Sequence, residues 1–314
     1  MRAAVLGAPI AHSLSPVLHR AAYRAIGLAG WSYEAIECDA ARLPAVLDGC
    51  GPDWAGLSLT MPLKRAVLPL LDEIAPLARE VGAANTVVFT GGRRHGHNTD
   101  VPGMIAALAE AGVTGARDAG NWAATVLILG GGATACSALA AARGLGAARV
   151  TVAVRDRARA RDLLAAAERL AVAVTLTDFQ NPAAGAPDLL ISTVPAGAAD
   201  TYAKRIARGD LVPGHLLDVV YHPWPTPLAA AAREADVAVA GGFALLLHQA
   251  ADQVTLMTGQ PAPLAAMRTA GETALRATPG GPRVGVRGGC GIPGHAGLLL
   301  TLPDDQPGNT RAGA

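Results

Sequence analysis

Thr125-Val-Leu-Ile-Leu-Gly-Gly-Gly-Ala-Thr-Ala135 is a short apolar run that ends in three glycines and opens onto an alanine-rich segment. It reads as a strand entering a nucleotide-phosphate loop. The spacing Gly130-x-Gly132-x-x-Ala135 allows a tight turn at Gly130, backbone approach to a pyrophosphate at Gly132 and close helix packing at Ala135. The helix that follows would aim its free N–H groups and positive dipole end at the phosphates. Glycine-rich turns without a ligand are common, so the surrounding chain has to supply the context.

Outward from that loop, the apolar pattern predicts strands at 126–129, 149–154, 172–176, 189–192, 216–220 and 237–240. A helix to Arg143 and another from Ala158 to Leu170 fall between them. Alternating strands and helices mark a parallel sheet with helical crossovers, which is the setting a dinucleotide loop requires. The second strand ends at Arg155-Asp-Arg157, where such folds meet the adenosine ribose. An acid there suits a free 2′-hydroxyl and arginines suit a 2′-phosphate, so Arg155 and Arg157 favour NADP while Asp156 keeps NAD open.

The totals agree with an enzyme of this class. At 314 residues the chain is long for one core and suggests two domains. Its 51% hydrophobic content implies an ample core, and a net charge of +1 gives no electrostatic case for nucleic acid or an acidic membrane surface. The four cysteines lack metal-ligand or redox spacing, and the N-terminus has no charged leader before an apolar stretch, so a cytoplasmic thiol-state protein is expected. Val237 to Leu247 is too short to span a membrane and reads as a buried strand running into a helix. The eight histidines form no ligand cluster, and no metal site is expected. From residue 279 to 314, Gly and Pro crowd the chain and a disordered tail is expected.

The first hundred residues carry a second set of signals. Ser15 before Pro16 reads as a helix N-cap with proline at the first helical position, which leaves Ser13 surplus to capping. Two hydroxyls and several free amides at one helix start would suit a carboxylate ligand. Of 26 basic residues only Lys64 and Lys204 are lysine. Lys64 follows Pro62 in what should be a first helical turn, where the dipole disfavours a cation, so its place calls for a reason beyond solvation. Lys204 reads as a solvated helix face. Asp100 stands just before a helical segment and by position alone reads as a cap.

Together these stretches resemble the shikimate dehydrogenase family along nearly all of residues 1 to about 277. The matching motifs are Gly7-Ala-Pro-Ile-Ala-His-Ser-Leu-Ser-Pro16, Leu59-Thr-Met-Pro-Leu-Lys64, Gly82-Ala-Ala-Asn-Thr86, Asn98-Thr-Asp100, the glycine loop, Asp218-Val-Val-Tyr221 with Pro225-Thr-Pro227, and Gly241-Gly-Phe-Ala-Leu-Leu-Leu-His-Gln249. The resemblance implies an α/β protein with a substrate domain over 1–100 completed by helices over 242–277. A Rossmann-type nucleotide domain would cover 101–241.

It further implies reversible NADPH-dependent reduction of 3-dehydroshikimate to shikimate, in the shikimate pathway of aromatic amino acid biosynthesis, by a monomer or homodimer. Lys64 and Asp100 take the positions of the catalytic pair. Ser13, Ser15 and Tyr221 would hold the substrate carboxylate, and Thr60, Asn85 and Gln249 the ring hydroxyls. Gly130, Gly131, Gly132, Ala133, Arg155, Asp156, Arg157, Val194, Val219 and Gly242 would bind the cofactor. The chain departs from the family pattern at Ser58, where many members have asparagine, at Ala133, over Ser192–Gly197, at Arg155-Asp-Arg157 and at Ala244-Leu245. A quinate/shikimate or aminoshikimate dehydrogenase using NAD is the nearest alternative, and a non-catalytic dinucleotide sensor the one from another class.

Overall fold

The structure, a computed structural model, describes residues 1–113, 124–180, 185–277 and 286–287. Two sheets organise the chain. The first contains β1 (Arg2–Gly7), β2 (Ser32–Glu37), β3 (Trp54–Leu59), β4 (Glu73–Ile74), β5 (Thr86–Thr90) and β6 (Arg93–His97), in the order β2-β1-β3-β5-β6-β4. β2, β1 and β3 run parallel, and β5 and β6 form an antiparallel hairpin. Gly91 and Gly92 turn that hairpin with φ of 59° and 75°, the left-handed pair that a two-residue turn matched to strand twist requires. Helices α1 (Ser15–Ala25), α2 (Leu43–Asp48), α3 (Leu63–Ala66) and α4 (Pro76–Val81) belong to this half.

The second sheet is wholly parallel: β7 (Thr125–Leu129), β8 (Arg149–Val154), β9 (Val174–Asp178), β10 (Leu189–Ser192), β11 (His215–Asp218) and β12 (Ala238–Gly241), in the order β12-β11-β10-β7-β8-β9. Val126 and Ile128 enter one core and Leu127 and Leu129 the opposite one, so β7 is buried on both faces and needs a continuous apolar run. Helices α6 (Ala133–Gly144) and α7 (Arg161–Arg169) cover the first face, and α8 (Asp200–Ala207) and α9 (Pro227–Glu234) the second. The strand order reverses between β7 and β10, which opens a crevice at their carboxyl ends.

Two further helices join the halves. α5 (Asp100–Glu110) packs Met104 and Leu108 into the core of the second sheet. α10 (Gly242–Thr258) and α11 (Leu264–Arg276) return to the first sheet, where Leu247, Val254 and Met267 share a core with Ala3, Val5 and Ala35. No helix among the described residues is long and apolar enough to cross a membrane.

Local chemistry moves several boundaries from those read in the sequence. Leu14 is the N-cap of α1 and Ser15 its first residue; Ser13 Oγ accepts from the Ser15 N–H at 3.3 Å. Ala171 is left-handed at φ 52° and the Val172 N–H bonds back to Ala167, so Val172 closes a helix and β9 begins at Val174. The helix expected from Ala158 begins as a short 3-10 turn over Arg157–Ala160 and becomes α-helical at Arg161. β11 ends at Asp218 because that carboxylate accepts from the Val220 N–H, folding the chain over. The strand Val286–Arg287 (β13) pairs with the outer edge of β2 inside the segment expected to lack structure; the rest of 279–314 lies outside the described residues.

Candidate active site

Lys64 and Asp100 meet at the crevice between the sheets. Lys64 leaves the first turn of α3, and its Nζ lies 2.6 Å from Asp100 Oδ2, with the side chains 14% and 7% exposed. Asp100 does not cap α5. It is the first residue of that helix, and Asn98 Oδ1 takes the Val101 N–H instead. The second Asp100 oxygen accepts from Asn85 Nδ2 at 2.9 Å. A nearly buried ion pair is retained only where each charge has further partners, and Asn85 supplies one. Asn85 is itself set by the Thr99 N–H, which donates to its Oδ1 at 2.8 Å.

A cavity of about 320 Å³ opens on this pair. Ser13, Ser15, Thr60, Lys64, Asp100, Tyr221 and Gln249 all line it, so these seven residues expected at the substrate share one wall. Asn85 lies behind it, 1% exposed, bonded to Asp100 and to Gln249 Oε1 at 3.2 Å. Ser13 and Ser15 stand at the N-terminus of α1, whose N-cap residue Leu14 offers no side-chain hydrogen bond. Tyr221 Oη reaches the His12 carbonyl at 3.5 Å, and burial pushes its pKa up, which keeps the hydroxyl a donor.

The nucleotide-side residues form a second strip along the carboxyl ends of β7, β8 and β10. Gly130 has φ 108°, and a Cβ there would stand 2.7 Å from Thr193 Oγ1. A Cβ at Gly132 would meet nothing within 4 Å, so its backbone faces open space. Gly131 lies between them and Ala133 begins α6, whose first turn receives no side-chain cap and keeps its N–H groups for a ligand. Those features fit a dinucleotide pyrophosphate. Arg155, Asp156 and Arg157 are exposed at the end of β8; Asp156 Oδ1 accepts from the Ala158 N–H at 2.9 Å and so caps its own turn. Val194 follows β10 and lines a narrow recess with Asp218, away from the main cavity. Val219 and Gly242 reach the main cavity, and Thr134 of α6 joins the strip to it.

Residues 5–87 match the shikimate dehydrogenase substrate binding domain, and residues 242–270 match the shikimate 5′-dehydrogenase C-terminal domain. The shikimate dehydrogenase (NADP(+)) of Symbiobacterium thermophilum is 37% identical over 286 residues, covering 88% of this chain and 95% of that one. This chain belongs to the shikimate dehydrogenase family. The solved shikimate dehydrogenase of Mycobacterium tuberculosis superposes with a TM-score of 0.76 at 44% identity, covering 87% of this chain and 99% of that one. The shikimate 5-dehydrogenase of Thermus thermophilus, solved in complex with NADP(H) and shikimate, gives 0.73 at 32% identity over 87% and 99% of the two chains.

Within this shikimate dehydrogenase fold, sequence reading passed over several cavity residues. His12, Leu246 and Gln253 line the wall, and Tyr33 lies just behind it, donating to Ser58 Oγ at 2.6 Å. Ser58, noted only as a departure from the family pattern, also faces the cavity. Gln253 had a usable signal: it stands four residues after Gln249 in the same helix, and therefore on the same face. Tyr33 had none, because it alternates within β2 like any core aromatic.

Proposed function

We propose that this chain catalyses the reversible NADPH-dependent reduction of 3-dehydroshikimate to shikimate, with Lys64 and Asp100 as the catalytic pair. The observation that carries the reading is the Lys64–Asp100 pair itself, which is nearly dry and opens on a cavity reached by Thr134 of the glycine-loop helix. When bound, NADPH supplies the hydride. The substrate ketone oxygen then gains negative charge, and Lys64 Nζ is the cation placed to stabilise it. The proton that completes the new hydroxyl comes from the Lys64–Asp100 pair, and Asp100 holds the ammonium while Asn85 holds Asp100. Ser13, Ser15 and Tyr221 bind the ring carboxylate at the start of α1, and Thr60 and Gln249 bind ring hydroxyls; Asn85, expected to join them, is buried behind the cavity and acts on the substrate through Asp100 and Gln249.

The first sheet with α10 and α11 serves as the substrate domain, and the second sheet as the nucleotide domain. NADP is preferred over NAD because the one acid near the ribose position is engaged in capping the Ala158 N–H, leaving Arg155 and Arg157 for a 2′-phosphate. A near-neutral chain with dispersed cysteines supports a cytoplasmic enzyme.

The test is the nicotinamide absorbance change on mixing the protein with shikimate or quinate, each with NADP and with NAD. Turnover with shikimate and NADP is expected, and Arg155→Ala with Arg157→Ala should raise the KM for NADP at least ~10-fold, as loss of charge-assisted phosphate contacts implies. Quinate oxidation, or a preference for NAD, would overturn the assignment and return Asp156 to the ribose.

A further inference from the structure

Three side-chain amides surround the cavity floor, and a backbone group sets the orientation of each. The Thr99 N–H points at Asn85 Oδ1, so Asn85 Nδ2 must face Asp100. Gln249 Nε2 donates to the Leu246 carbonyl at 2.9 Å, so its Oε1 faces Asn85. Gln253 Nε2 lies 3.2 Å from the Asn85 carbonyl and 3.0 Å from Thr86 Oγ1. A carbonyl only accepts, so flipping the Gln253 amide would set two acceptors face to face.

This orientation propagates. Gln253 Oε1 must face Ser58, and at 2.7 Å it takes the one proton of the Ser58 hydroxyl. Ser58 Oγ in turn must accept from Tyr33, whose hydroxyl stands 2.6 Å away. Tyr33 is fully buried, and burial raises its pKa, so it stays an O–H donor throughout the working pH range. The Ser58 hydroxyl has therefore spent its proton, and only a lone pair is left for a ligand.

We propose that Tyr33 and Gln253 are positioning residues that hold Ser58 as an acceptor-only group in the cavity, so that the ligand must present a hydrogen-bond donor there, a ring hydroxyl and not an oxo or ether oxygen. The inference rests on the shikimate-type substrate of the preceding section. It concerns how that cavity selects among ring substituents.

The experiment measures competitive inhibition constants for a set of shikimate analogues in which each ring hydroxyl is replaced in turn by hydrogen or by fluorine, an acceptor that cannot donate. In the wild type, one position should lose about tenfold on either replacement, the scale for leaving a buried hydroxyl unpaired. In Gln253→Leu the Ser58 proton is released toward the cavity, and the fluoro analogue at that position should recover most of its loss while the deoxy analogue does not. In Tyr33→Phe the penalty for deoxygenation at that position should shrink, with a larger change in KM for shikimate than in kcat. Thermal unfolding of both variants checks that they are folded. A merely structural role would weaken all analogues alike, and that result, or a fluoro penalty unchanged in folded Gln253→Leu, overturns the inference. Absence of shikimate turnover in the wild type instead overturns the functional reading and this inference with it.

Discussion

Lys64 is the residue on which the chemistry turns. Arginine is this chain's ordinary cation, yet a compact ammonium is kept at the one place where it must bond Asp100 at 2.6 Å and still reach a ligand. Lys64→Ala should lower kcat by at least ~100-fold with NADP binding little changed, and Lys64→Arg should recover little of it, because a planar fork cannot occupy a point-charge site. Steady-state kinetics with NADP titration check both, and near-normal turnover of either variant would remove Lys64 from the mechanism. His19 makes a different kind of prediction. Its ring stacks on Tyr33 at 3.9 Å, its Nδ1 bonds the Ser15 carbonyl, and its buried Nε2 finds no hydrogen-bond partner among the described residues. Burial lowers its pKa to about 4 from 6.5. The unfolded chain therefore takes up the proton first as pH falls. Stability contributed by neutral His19 is complete above 6.5, is lost on descending toward 4, and amounts to something on the order of 3 kcal/mol. Urea midpoints compared at about pH 7.5 and pH 4.5 should differ less in His19→Phe than in the wild type.

Among the elements, the start of α10 matters most to the site, because one helix carries Gln249 and Gln253 to the cavity while its first residue, Gly242, lines the same wall. A Cβ at Gly242 would lie 2.3 Å from the Val219 carbonyl oxygen, a backbone atom that cannot swing aside. Gly242→Ala should therefore destabilise the fold by about 1–3 kcal/mol, the usual result of overpacking. It should also weaken NADP binding, since Val219 moves with it; urea unfolding and cofactor titration report the two effects, and a wild-type result in both would refute the contact. Most elements were legible from apolar periodicity. α4, the short β4 and α9 were passed over, and the misplaced ends have local causes: Ala171 turning left-handed, and Asp218 and Asn98 capping backbone N–H groups from outside the expected cap positions. Asp218 also takes the Thr226 hydroxyl at 2.6 Å, which in turn caps α9 through the Ala229 N–H.

The molecule as a whole is two sheets flanking a cleft, tied along one side by arginines. Arg65, the neighbour of Lys64, bonds Asp162 of α7 at 2.5 Å and Cys136 Sγ of α6 at 3.3 Å, and Arg143 pairs with Glu80 of α4 at 3.1 Å. These pairs are partly exposed, so Arg65→Ala should change stability by less than about 1 kcal/mol. Its expected effect is on the cleft: the radius of gyration from solution scattering should rise in the ligand-free variant and return to the wild-type value with shikimate and NADP bound. Identical scattering of the two ligand-free proteins would refute that role. The strands, the glycine turn and the unusual lysine are short-range patterns, each carried by a few neighbouring residues, and these were readable along the chain. The contacts that make a site of them are not short-range. Arg65 and Asp162 are 97 positions apart, Asn85 and Gln249 164, and Ser58 and Gln253 195. Whether such pairs touch depends on how the two halves pack on each other and how α10 packs back across the first sheet, a balance of side-chain volumes summed over whole cores. No local pattern encodes that sum, so the orientation of every amide around the cavity became known only from the packed molecule.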